Sequence, residues 1–127
     1  MLIVYMSLTG QTRKFVKKLD LPSLELRPDQ VMKEIDQPYL LIAPTYEREV
    51  TDLLWEFVET GHNRNYLRGV CGGGNLNFNT LYCFTAKDLA RAFDVPLIHL
   101  FEFQGNQQDV DKIKAEVDKL GKTSIGG

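Results

Sequence analysis

Short runs of apolar, largely branched residues recur along this chain with segments of helical period between them, and this alternation constrains the fold more than any other feature. The runs are Leu2 to Met6, Leu24 to Leu26, Tyr39 to Ala43, Leu67 to Cys71 and Pro96 to Phe103. Most are continuously apolar, as strands buried on both faces of a parallel sheet are. Between them lie four stripes at helical spacing. The first is Phe15, Val16 and Leu19; the second is Val50, Leu53, Leu54, Phe57 and Val58, with Gly61 as its stop. The third, Tyr82, Ala86, Leu89, Ala90 and Phe93, ends before Pro96, and the last is Val110, Ile113, Val117 and Leu120, with Lys112 four residues before Glu116 on its outer side. The segment from Asp29 to Ile35 has room for two helical turns.

Strands interleaved with helices predict an α/β protein: a doubly wound, five-stranded parallel sheet of order 2-1-3-4-5 with helices on both faces. In that order the chain leaves strands 1 and 3 in opposite directions, so a ligand is expected beyond their carboxyl ends. At 127 residues the chain is expected to form one domain over 1–127, with 122–127 as a frayed tail. Fifteen Lys and Arg against 17 Asp and Glu, with the signs interspersed, argue against a nucleic-acid partner. Cys71 and Cys83 form no Cys-x-x-Cys pair, which speaks against a zinc ribbon or dithiol motif and suits a reducing compartment. No apolar run approaches the ~18 residues of a membrane span, and Met1 to Tyr5 lacks the basic start of a signal peptide. A cytoplasmic monomer without a membrane or nucleic-acid partner is expected.

Three loops follow the carboxyl ends of strands 1, 3 and 4. The first, Ser7-Leu8-Thr9-Gly10-Gln11-Thr12, brings hydroxyls and a glycine to a helix N-terminus. Backbone N–H groups, the positive helix end and neutral hydroxyls suit a phosphate monoester; a simple helix cap by Thr9 or Thr12 is the alternative. In the second loop, Pro44-Thr45-Tyr46-Glu47-Arg48-Glu49, the Tyr46 ring offers a stacking face, or else rests on its own surface. The third holds Gly72, Gly73 and Gly74 followed by Asn75, Leu76, Asn77 and Phe78, where glycines permit close approach of a ligand or a flexible turn. Phosphate donors at one end and aromatic and amide groups at the other describe a site for a flat, monophosphorylated cofactor.

Those loops match flavodoxin-like proteins that bind FMN, and the detail resembles the NrdI family, flavodoxin-like activators of class Ib ribonucleotide reductase. The similarity runs from Val4 through the first loop to Val16, then Pro44-Thr45-Tyr46, then Arg68 to Phe78. It continues through Val95-Pro96-Leu97-Ile98 and Phe101-Glu102-Phe103-Gln104-Gly105 to Asp109-Val110. The resemblance implies an FMN phosphate held by Ser7, Leu8, Thr9, Gly10, Gln11 and Thr12, and a flavin ring between Thr45-Tyr46-Glu47 and Gly73 to Phe78. It also implies reduction of oxygen by the reduced flavin and delivery of the oxidant to the small reductase subunit NrdF. There a dimanganese centre is oxidised and a tyrosyl radical follows, with an unidentified reductant recharging the flavin. A general flavodoxin-type electron carrier is the alternative.

This chain departs from the family pattern at Glu47-Arg48-Glu49, where a glycine-rich stretch is usual, and at Asn79-Thr80, where Gly-Asp is usual. Both lie beside the implied ring, so altered flavin potentials are expected, with Arg48 easing the penalty on the anionic, fully reduced flavin. No side chain is required as a general acid, base or nucleophile. Cys71 and Cys83 are expected to be inert core residues, His62 a solvated loop residue, and His99 a strand residue with a hydrogen-bonded ring. Trp55 and Phe84 fall off their apolar stripes and are candidate docking residues.

Overall fold

The computed structural model describes residues 1–28, 30 and 32–126, with the side chains of 78–80 and 121–126 outside the description. Five strands are present: β1 (Leu2–Tyr5), β2 (Ser23–Glu25), β3 (Tyr39–Ala43), β4 (Leu67–Gly74) and β5 (Leu97–Glu102). They form one sheet of order β2-β1-β3-β4-β5, and every pairing is parallel. Helices α1 (Gln11–Leu19), α2 (Arg48–Glu59), α3 (Asn63–Tyr66), α4 (Phe84–Ala92) and α5 (Gln107–Gly126) connect or follow the strands, and a 3-10 helix (Leu76–Leu81) precedes α4. The expected doubly wound architecture is therefore the observed one.

Alternate strand residues divide the core in two, because successive side chains of a strand point to opposite faces. Val4, Leu41 and Val70 pack with Leu54, Phe57 and Val58 of α2 and Ala86 and Leu89 of α4. Ile3, Tyr5, Leu40, Ile42 and Cys71 pack on the opposite face with Phe15, Val16 and Leu19 of α1 and Val110, Ile113 and Val117 of α5. The Phe15 and Phe101 rings, 4.0 Å apart and nearly parallel, join α1 to β5 within that second core. On the outside of α5, Lys112 and Glu116 make the expected i, i+4 pair at 3.1 Å.

Several expectations are corrected. β4 runs on through Gly72, Gly73 and Gly74, which pair with Leu100, Phe101 and Glu102 of β5. None of these three glycines has a positive φ. They are small because their neighbours leave no room: a Cβ on Gly72 would collide with the Ala86 side chain, and one on Gly73 would lie 2.8 Å from the Phe101 ring. In α2, Val50 is 43% exposed and Thr51 is buried instead, with its hydroxyl donating to the Glu47 carbonyl at 3.2 Å. The inward face is thus turned by one residue from the apolar stripe.

The two turns expected within Asp29 to Ile35 do not form among the described residues, which exclude Asp29 and Val31. The buried Asn63 explains the extended path. Its Nδ2 donates to the carbonyls of Lys33 (2.9 Å) and Phe57 (2.8 Å), and its Oδ1 accepts from Ile35 N–H at 2.8 Å. Backbone groups that a helix would use internally are taken by a side chain. The expected frayed tail falls where side chains lie outside the described residues; its backbone is assigned to α5 as far as Gly126. No described helix is long and apolar enough to cross a membrane.

Candidate functional site

β1, β3 and β4 are adjacent and parallel, so the loops at their carboxyl ends meet at one rim. A cavity of about 470 Å³ opens there. From the first loop it is lined by Leu8, Thr9, Gln11 and Thr12, from the second by Pro44, Thr45 and Tyr46, and from the end of β4 by Gly73, Gly74 and Asn75. Phe103, just past β5, completes the rim. The sequence-predicted residues Ser7, Gly10, Glu47, Leu76 and Asn77 lie outside this lining, and the side chain of Phe78 is outside the described residues.

Gly10 caps α1 with φ +89°, a left-handed conformation that glycine adopts without a Cβ penalty, and makes no side-chain cap. Ser7 Oγ accepts the Arg13 N–H at 3.3 Å, which leaves its O–H free to donate. The N–H groups of Gln11 and Thr12 open the helix, where no intrahelical acceptor exists. With the hydroxyls of Thr9 and the largely buried Thr12, they form an uncharged donor set of a kind that suits an anion.

The opposite wall is held by two threonines. Thr45 Oγ1 donates to the Gly73 carbonyl at 2.6 Å. Thr85, buried at the start of α4, accepts the Tyr46 N–H at 3.1 Å and donates to the Tyr46 carbonyl at 2.8 Å. Both polar groups of the Tyr46 backbone are thereby committed, and the aromatic wall has a fixed base. Sequence reasoning missed Thr85; a polar residue beside Ala86 on the inward face of α4 was the available signal. It also missed Pro44 and Phe103 as lining residues. Phe103 is 48% exposed with φ +52°, and its N–H donates to the Gly74 carbonyl at 3.1 Å. The β5 turn is thus tied to the end of β4.

Behind the first loop, Glu25 of β2 gathers four donors. Arg13 Nε and Nη2 reach its two oxygens at 2.7 and 2.8 Å, Tyr5 O–H donates at 2.8 Å, and Arg27 Nε lies 3.2 Å away. Led by the Arg13 hydrogen bonds, this holds the carboxyl well below its usual 4.5, at about 2. The folded state therefore gains stability that is complete above pH 4.5 and is lost as the pH falls toward 2. For a carboxylate 12% exposed the contribution is about 2 kcal/mol. Glu25→Gln is expected to flatten the acid side of the stability curve in that window, read from denaturation midpoints; an unchanged acid side would reject the assignment.

The remaining candidates do not line the cavity. Cys71 and Cys83 are free and buried, and burial pushes the Cys71 thiol up to about 12, so both behave as core residues. His62 is exposed, whereas the His99 ring is bonded through Nε2 to Asp109 at 2.7 Å. Trp55 and Phe84 are half-buried; Arg48 lies 3.8 Å over the Trp55 ring, which packs toward Phe93.

A doubly wound sheet of this order, with uncharged donors at a helix start and an aromatic-walled cavity at its switch point, defines a flavodoxin-like protein. A short-chain flavodoxin associated with a non-canonical PDU bacterial microcompartment superimposes with a TM-score of 0.67 over 96% of both chains at 16% identity, a likeness of fold. Residues 3–115 match the NrdI flavodoxin-like family, and the chain belongs to that family. Its relatives include Protein NrdI of Wigglesworthia glossinidia brevipalpis, 32% identical over 95% of this chain and 90% of that one. Protein NrdI of Corynebacterium glutamicum (strain R) is 36% identical over 90% and 86% of the two chains, and that of Chromohalobacter salexigens is 36% identical over 89% and 90%. FMN is the cofactor of this family, and the neutral anion donors, the flat aromatic wall and the side-chain-free end of β4 fit it.

Proposed function

We propose that this protein binds FMN in the cavity between the β1, β3 and β4 loops and serves a class Ib ribonucleotide reductase, acting on its small subunit NrdF. The observation that carries this reading is the convergence of those three loops on one cavity in a chain of the NrdI family. In it, the N–H groups of Gln11 and Thr12 and the hydroxyls of Thr9 and Thr12 hold the phosphate. Ser7, Gly10 and Leu8 shape that loop from behind and beside. Tyr46 would offer its face to the ring and Gly73, Gly74 and Asn75 would hold it from the end of β4, with the Leu76-Asn77-Phe78 segment following on outside the cavity lining. Glu47 begins the helix that fixes the Tyr46 side. Bound FMN supplies the redox chemistry, passing electrons from an unidentified reductant to oxygen so that an oxidant reaches the metal centre of NrdF.

The protein's share is orientation and exclusion of water. Thr45 and Thr85 spend their hydroxyls on backbone, so neither competes for the ligand, and the wall needs no reorganisation when the cavity fills. Arg48 opens α2 directly after Glu47, leaving only Pro44 to Glu47 between β3 and the helix. A loop without glycine supports the expectation that the flavin potentials differ from those of relatives with a glycine-rich stretch there.

The purified protein is expected to show flavin absorbance bands, or to acquire them with one equivalent of FMN. After anaerobic reduction, mixing with oxygen and manganese-loaded NrdF is expected to give a tyrosyl radical by electron paramagnetic resonance. Failure to take up flavin sinks the cofactor reading. Uptake without an NrdF-dependent radical favours the general electron carrier.

A further inference from the structure

The cavity lining contains no charged side chain, although a phosphate ester carries negative charge at neutral pH. Arg13 lies in the first turn of α1, two residues beyond Gln11. Two of its three guanidinium nitrogens, Nε and Nη2, are bound to Glu25. The third, Nη1, lies 3.9 Å from where a Cβ on Gly10 would stand, beside the loop that caps the helix. The Arg13 N–H is meanwhile held by Ser7 Oγ, so backbone and side chain are both fixed.

Around Glu25 two guanidiniums, Arg13 and Arg27, face one carboxylate and the neutral hydroxyl of Tyr5. The cluster keeps a single net positive charge, with Arg13 39% and Arg27 55% exposed around the largely buried Glu25. A bidentate guanidinium–carboxylate pair has fixed geometry and favours an anion beyond its free edge without itself bonding to it.

We propose that Arg13, anchored by Glu25, is the specificity-determining charge that makes this cavity prefer the phosphorylated flavin over unphosphorylated riboflavin. It acts on the phosphate through its field, while the N–H groups and hydroxyls of the loop make the direct bonds. The proposal rests on the FMN reading above. Glu25 sets the size of the effect: it holds the guanidinium in place and cancels part of its charge, so the two residues oppose each other in their influence on an anion.

The test compares binding of FMN and of riboflavin to the flavin-free protein, by quenching of flavin fluorescence, at roughly 20 and 500 mM salt. For the unmodified protein, FMN affinity should fall with salt while riboflavin affinity stays nearly constant. Arg13→Gln is expected to weaken FMN about tenfold at low salt, to change riboflavin less than twofold, and to reduce the salt dependence for FMN. Arg13→Lys, which keeps the charge without the two-pronged pairing, should retain most of the FMN preference. Glu25→Gln, which leaves Arg13 uncancelled, should tighten FMN about threefold at low salt with riboflavin again unmoved.

Equal weakening of both ligands by Arg13→Gln, or an unchanged ratio, overturns the proposal, because a merely structural pair acts on both flavins alike. A salt-independent FMN affinity in the unmodified protein overturns it without any variant. Failure of the unmodified protein to bind either flavin rejects the cofactor reading itself, a separate and recognisable result.

Discussion

Gly72→Val is expected to lower stability by about 4 kcal/mol and the melting temperature by roughly 15 °C. Gly72 lies within β4, between Ala43 of β3 and Leu100 of β5, and faces α4. A Cβ there would run into the Ala86 side chain, with Leu100 Cδ2 and Cys83 Cβ at 3.4 and 3.5 Å. Ala86 is a methyl group on a helix and has no rotamer by which to withdraw, so the whole of α4 must move off the sheet. Gly72→Ala should cost about 2 kcal/mol by the same route. The discriminating measurement is a double-mutant cycle with Ala86→Gly, which returns the missing space. Denaturant unfolding should show the paired change recovering about 2 kcal/mol relative to the sum of the singles. Additive singles would mean that close packing of α4 on β4 is not the reason for the glycine.

Gly74→Val is expected to weaken FMN about a hundredfold, near 2.7 kcal/mol, while costing the fold less than the change at Gly72. A Cβ at Gly74 would lie 2.9 Å from Cys83 Sγ, 3.0 Å from Thr45 Oγ1 and 3.2 Å from the Cys83 nitrogen. To make room Thr45 must leave the Gly73 carbonyl, and that bond is what fixes the cavity wall beside Tyr46. Parallel titration with FMN and thermal unfolding of the flavin-free protein separate the two effects. Retention of FMN affinity within threefold of the unmodified protein would show that the flavin does not lie against the end of β4.

Both sites were visible in the sequence as a run of glycines, yet their physical meaning was not. Three consecutive glycines have weak strand propensity, so Cys71 marked the expected strand end, and Gly72 to Gly74 were assigned to a ligand loop. What keeps them in β4 is tertiary: α4 and β5 approach so closely that only the absence of a side chain is tolerated. The strand order, by contrast, was legible because the apolar runs Tyr39 to Ala43 and Leu2 to Met6 are continuous and the chain is short. The first loop was legible because hydroxyls and a glycine before a helix have local chemistry. The roles of Asn63, Thr51 and Thr85 were not, since a polar residue that spends its bonds on distant backbone looks, in sequence, like one facing water. Phe103 escaped as a lining residue because it belongs to the fifth strand's exit, outside the three loops that the strand order singled out.

The division of the core between two sheet faces also sets a timetable for synthesis. The face built from α2 and α4 is complete once Leu100 has been made, whereas the face under α1 needs Val110, Ile113 and Val117 of α5. The stripe Phe15, Val16 and Leu19 therefore emerges early and waits for a partner about 100 residues further along the chain. At the usual pace of translation that is roughly 5–20 s. Throughout that interval α1 has only the β1 and β3 side chains Ile3, Tyr5, Leu40 and Ile42 to rest on, and the outer half of its core is still to be made.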